Sequence, residues 1–172
     1  DGKVFDFGKV SLVAIHTPGH TVDHTCFFEP TQGVLLSFDI DLTSFGPWYG
    51  HRESDIAAFE ESIRQVIALK PRVIASSHKG IITDDIELRL RRYLNVFDAR
   101  DRLLLDLMPR PRSMEELVSF SPFYQGYPFA ETLLRWWEEQ MIRKHLARLI
   151  ERDAALETED GKFVHRTADT GN

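Results

Sequence analysis

Cysteine occurs once in the 172 residues, at Cys26, so no disulfide can close within the chain and nothing demands an oxidising compartment. A cytoplasmic location is the expectation. No apolar run approaches the roughly 20 residues that cross a bilayer, the longest being stretches such as Val66–Leu69 and Leu103–Leu105, so no membrane partner is expected. Glycine and proline are sparse, at 10 and 8, while apolar residues make up 42% and charged residues 28%, which excludes collagen-like, low-complexity and wholly disordered chains. Positive charge is not in excess either. The net charge is −6, with 7 Lys and Arg against 12 Asp and Glu in residues 1–85 and 14 against 15 in 86–172. This balance disfavours a broad nucleic-acid footprint. The opening at Asp1 has no Met, basic segment or apolar signal core, which is consistent with removed upstream sequence.

What is present reads as two parts. Val10, Leu12 and Ala14, interleaved with Ser11, Val13 and Ile15, make a strand that is apolar on both faces and therefore buried. Pro18 and Gly19 force a loop after it. Thr25–Glu29 and Val34–Phe38 follow as strands, and 41–51 is an aperiodic loop rich in aromatics. Ser54 is the expected N-cap of a helix whose Ile56, Phe59, Ile63 and Val66 share one face and which Pro71 ends. Val73–Ala75 is the last short strand of the segment. Strand, strand, strand, helix, strand is an α/β layered pattern, and it runs to about residue 83.

The character changes at 84. A long helix through Leu90, Leu94, Phe97, Leu104 and Met108, a capping box at Ser113–Glu116, and a third amphipathic helix from Leu134 to Ile150 precede a hairpin about Glu159-Asp160-Gly161. Three helices and a hairpin make residues 84–172 a winged-helix domain, with 167–172 a frayed tail. Trp136 and Trp137 need nothing beyond core and domain-interface packing. Arg143, Lys144, Arg148 and Arg152, diluted by Glu138, Glu139 and Glu151, form a solvated face.

Three potential metal ligands fall at strand ends, where open α/β sheets assemble active sites: His20 after the first strand, Asp39 after the third and His78 after the last. Imidazole and carboxylate suit a borderline cation such as zinc, and a carboxylate can bridge two. Cys26, inside a strand, is a small core residue. Trp48, Tyr49 and His51, in the loop that follows Asp39, are candidate substrate contacts.

The segments His16-Thr17-Pro18-Gly19-His20-Thr21, Leu35-Leu36-Ser37-Phe38-Asp39 and Ile74-Ala75-Ser76-Ser77-His78-Lys79-Gly80 resemble, in order and spacing, the later motifs of the metallo-β-lactamase superfamily. The resemblance covers roughly residues 3–82. It implies residues 1–83 to be the C-terminal half of an αββα sandwich, with His20 on a first metal, His78 on a second and Asp39 bridging both at the catalytic centre. The implied ions are two zincs, with iron or manganese as alternatives. Asp23 and His24, which complete the run from Thr17, and the winged helix after it are similar to a branch containing an endoribonuclease and bacterial hydrolases. There His24 and Asp23 are candidates for holding a ligand or substrate. Phe38 stands where the family usually has glycine. The family's first motif, His-x-His-x-Asp-His, occurs nowhere among the seven histidines.

The resemblance therefore implies a metal-dependent hydrolase of small-molecule esters, thioesters, lactones or phosphodiesters, of which this chain is a fragment that is inactive alone. It implies too that a missing N-terminal half, or self-association, covers an apolar sheet face about Val10, Leu12 and Ala14. The alternative is an RNA-cleaving or nucleic-acid-binding protein acting through the winged helix, and a third reading is a degraded hydrolase used for protein interaction. Fold alone does not choose the substrate.

Overall fold

The computed structural model describes residues 1–166, and the expected tail at 167–172 lies outside the described residues. The described residues divide into two compact units, 1–96 and the part that follows from 97. The change of character at 84 marks instead the approach to a helix, α2 (Ile86–Leu107), within which the division falls.

The first unit is one six-stranded sheet in sequence order: β1 (Val4–Asp6), β2 (Ser11–His16), β3 (Thr25–Glu29), β4 (Val34–Phe38), β5 (Val73–Ser76) and β6 (Gly80–Ile82). All neighbours are antiparallel except β4 and β5, which are parallel and joined through α1 (Ile56–Leu69). A parallel pair needs such a crossover, which lays the helix over one face of the sheet. Pairing of Leu35 with Ile74 and of Ile74 with Ile82 puts these three on one face, and all are buried, as are Phe59, Ile63 and Val66 of α1.

The opposite face is open. Leu36 pairs with Ala75 and Ala75 with Ile81, and Ile81 is 69% exposed. Phe5, Phe27 and Phe38 stand edge to face along this side, at centroid distances of 5.8 and 6.2 Å. The apolar face thus lies about Phe5, Phe27, Leu36, Phe38 and Ile81. Leu12 and Ala14 of β2 stand on this same face, since Leu12 pairs with Phe5 and Ala14 with Phe27, while Val10 precedes the strand.

Two local readings change, while the helix end at Pro71 stands. The N-cap of α1 is Asp55, whose carboxylate accepts from the Ala58 amide, because the Ser54 hydroxyl is drawn to the His20 carbonyl. Lys70, in the left-handed region, closes the helix before Pro71. β6 was not expected, and it makes the His78 segment a tight turn between two strands instead of a strand's free end.

In the second unit the capping box of α3 (Met114–Ser119) is present in both directions. α4 (Glu131–Glu151) is followed by β7 (Ala155–Glu157) and β8 (Phe163–His165), an antiparallel pair whose turn has Gly161 at φ 73°. Arg112 and Phe163 exchange backbone hydrogen bonds at 2.8 Å. Two acidic groups are buried on α2 and α4. Asp101 accepts from His145 Nδ1 at 2.6 Å and meets Arg148 and Arg152, while Glu138 accepts from the amides of Phe123 and Tyr124. Glu138 is therefore not part of a solvated face, and Trp136 is partly exposed.

Candidate metal centre

The loop that carries His20 is clamped by the start of α1. Ser62 donates to the Pro18 carbonyl at 2.7 Å, Ser54 to the His20 carbonyl at 2.6 Å, and the Asp55 amide to the Gly19 carbonyl at 3.0 Å. Gly19 is at φ 132°, and a Cβ there would sit 2.3 Å from the Phe59 backbone. Only glycine permits that approach.

The clamp aims the His20 ring. Its Nδ1 lies 2.9 Å from the Trp48 carbonyl, which can only accept, so Nδ1 carries the proton. In the neutral ring this leaves a lone pair on Nε2, and Nε2 faces Asp39 Oδ2 at 3.8 Å. His78 Nε2 faces the other oxygen, Oδ1, at 3.3 Å. The structure thus brings His20, Asp39 and His78 together from three strand ends, with Asp39 between the two imidazoles. Each of its oxygens serves one ring.

Asp39 reaches this position through unusual backbone. Phe38 is at φ 48°, in the left-handed region, directly after a register shift between Leu36 and Phe38. Ser77 donates to the Phe38 carbonyl, and the Asp39 amide donates to His24 Nε2 at 3.3 Å. Ser37 donates to the Ile40 carbonyl at 2.8 Å, tying the turn across Asp39. From α2, the Tyr93 hydroxyl donates to Asp41 Oδ1 at 3.0 Å and approaches the Asp39 carbonyl at 3.4 Å.

The remaining candidates divide. His24 is buried, and burial holds its pKa below the ordinary histidine value, so it is the neutral ring that meets Asp39. Asp23 is exposed; its carboxylate is taken by the Thr21 hydroxyl at 2.7 Å, which lowers its pKa. Trp48 and His51 lie beside His20, with ring centroids 5.4 and 6.0 Å from it. Tyr49 is fully buried, so it is a core side chain and not an exposed pocket wall. Cys26 is buried as expected, and burial pushes its thiol up to about 11. Sequence reasoning missed Thr17, Ser62 and Tyr93. No local signal marks Tyr93, which stands 54 residues from Asp39.

Whether a cation suits these groups follows from the donors. Two ligands held 2.0–2.2 Å from a tetrahedral ion stand about 3.4 Å apart. The His78–Asp39 separation of 3.3 Å matches that spacing, and the 3.8 Å of His20–Asp39 is somewhat wide of it. The His20 lone pair facing a carboxylate needs a proton or cation between them. The donor set fits a borderline divalent ion. Among the described residues, however, no three His, Cys, Asp or Glu side chains gather as a complete metal cage. Each carboxylate oxygen has one imidazole, and structural and catalytic zinc sites use three or four protein ligands.

A mixed α/β sheet with a His–Asp–His cluster at its strand ends defines the class, and the comparisons agree. Residues 1–78, less than half of the chain, match the family model described as metallo-beta-lactamase superfamily. Over 152 residues, 85% of the chain, it is 29% identical to the lactamase-like protein nscB of Trichophyton rubrum, of which the match spans 45%. The protein of the same name from Arthroderma benhamiae is 29% identical over 114 residues, 64% of this chain and 24% of the relative. A metallo-beta-lactamase family protein from Thermus thermophilus superposes with a TM-score of 0.79 at 25% identity, covering 96% of this chain and 53% of that one. A beta-lactamase domain protein from Burkholderia ambifaria shares the fold, with a TM-score of 0.73 at 19% identity over 96% of this chain and 51% of that one. The chain thus spans about half the length of these solved structures and less than half of the curated relatives.

Proposed function

We propose that the whole protein is a metal-dependent hydrolase in which His20 and His78 each hold one of two divalent ions, zinc by donor type, and Asp39 holds both. The observation that carries this reading is the pair of imidazole Nε2 atoms directed at the two oxygens of one carboxylate, with the His20 tautomer set by the Trp48 carbonyl. Bound there, such ions lower the pKa of a water toward neutrality and polarise a scissile carbonyl or phosphoryl oxygen. His20 is held rigid by the loop clamp, and Trp48 and His51 wall its side of the centre. Ester, thioester, lactone and phosphodiester bonds all suit this chemistry.

The remaining donors, on this reading, come from sequence outside these 172 residues, and that sequence also covers the open apolar face about Phe27, Leu36 and Phe38. The second unit is proposed as a winged helix. Support for this comes from α3, α4 and the β7–β8 hairpin, tied back by the Arg112–Phe163 pair. Nucleic acid is not proposed as its partner, because Arg135, Arg143, Arg148 and Arg152 of α4 are engaged by Glu131, Glu139 and Asp101.

The test is zinc competition against a chromophoric chelator, with the 172-residue chain and with Asp39→Asn. Weak uptake that Asp39→Asn abolishes is the expected result, since a neutral amide is a far poorer ligand for a divalent cation than a carboxylate. Uptake indifferent to that substitution would remove the reading.

A further inference from the structure

We infer that His24 is a positioning residue that acts through the backbone of Asp39: its locked tautomer holds the Asp39 amide and so aims the carboxylate at His20 and His78. The inference rests on the metal-centre reading above for its consequence, but its geometry stands alone. His24 Nδ1 is 2.9 Å from the Thr17 hydroxyl and 3.1 Å from the Thr17 carbonyl. The Thr17 hydroxyl donates its own hydrogen to Cys26 Sγ at 3.3 Å, so it accepts from His24, as does the carbonyl. Both partners of Nδ1 therefore require a proton on Nδ1, which leaves Nε2 an acceptor. The donor presented to Nε2 is the Asp39 amide, at 3.3 Å. The relay closes on itself, because the Cys26 thiol donates to the Ser37 carbonyl at 3.6 Å, two residues before Asp39.

Thr17, His24, Cys26 and Ser37 are all buried, so water does not replace a lost partner. The relay is also where it is needed. Phe38 holds a left-handed conformation that is strained for a non-glycine residue, and the peptide joining it to Asp39 would relax if its N–H lost its acceptor. A rotation of that peptide swings the carboxylate away from both imidazoles.

The tautomer is read directly in the wild-type 172-residue chain, without metal, by long-range proton–nitrogen correlation at the His24 ring. A protonated Nδ1 and bare Nε2 are expected; a proton on Nε2 overturns the inference without any variant. Three substitutions then separate positioning from mere filling of the core. His24→Gln keeps an acceptor near Nε2, whereas His24→Asn keeps only the Thr17 side of the relay and His24→Leu keeps neither. Hydrogen exchange of the Asp39 amide should accelerate in the Asn and Leu variants and return toward the wild-type rate in Gln. Zinc affinity should fall roughly 10- to 100-fold and recover in parallel. Folded Asn or Leu variants with wild-type Asp39 exchange would overturn the inference. If the wild-type chain takes up no zinc, the metal-centre reading fails while the tautomer and the Asp39 exchange still decide the role of His24. If Leu does not fold, the Asn and Gln pair decides it.

Discussion

Phe38 occupies backbone that glycine would take without cost, and the side chain is 38% exposed on the open face against Phe27. Two terms oppose each other there. Glycine relieves the left-handed strain but forfeits an edge-to-face ring contact of about 0.5–1.5 kcal/mol. Comparing Phe38→Gly with Phe38→Ala removes the ring from both and isolates the backbone term. Glycine should be the more stable variant by about 1 kcal/mol in denaturant melts. Equal stability would mean that the surrounding turn, not the residue, sets the conformation. At the same scale, a Cys26 thiol pushed up to about 11 and shut from solvent should not react with a disulfide reagent at about pH 8 until the chain is unfolded. Rapid labelling of native protein would contradict its burial.

At the scale of elements, the centre depends on a loop pressed against a helix. Gly19→Ala drives a Cβ into the Phe59 backbone, so it should cost about 3 kcal/mol and weaken zinc uptake together, because the same shift unseats His20. A variant as stable as wild type would mean the loop can lift freely. The turn residues Pro18 and Gly19 and the polar residues ending apolar strands made His20, Asp39 and His78 legible in the sequence. The supports were less so. Ser54 and Asp55 are both good caps, and only the His20 carbonyl decides which of them turns to the helix. β6 is three residues with an exposed Ile81, too short to carry a period. Tyr49 lies in an aperiodic loop, where burial leaves no pattern. The second unit offers a pH test. Burial holds His145 below its ordinary pKa, so the unfolded chain takes up a proton first as pH falls through about 6.5. The stability this neutral His contributes is present above that pH and lost below it, by at most about 1.4 kcal/mol per pH unit. His145→Gln should flatten that part of the acid limb in melts spanning roughly one pH unit either side of 6.5; an unchanged slope would assign the loss to other groups.

For the molecule as a whole, two shortages are related. The centre has one imidazole for each oxygen of Asp39, and the sheet has one covered face out of two. A partner sheet carrying further imidazole and carboxylate donors would meet both needs at once. Apolar surface left in water costs about 25 cal/mol for each Å² that could be buried, so Phe5, Phe27, Leu36, Phe38 and Ile81 favour any apolar surface that reaches them. The 172-residue chain on its own should therefore associate with rising concentration in light scattering. Ile81→Lys with Phe27→Thr should shift it toward monomer, since both changes lie on the open face and Lys also blunts the edge strand. Zinc uptake should remain weak and below two ions per chain in both forms, because association through an apolar face supplies no new donors at Asp39. A stable monomer with two tightly held ions would refute the shared-shortage account, since the residues described would then suffice for both the core and the centre.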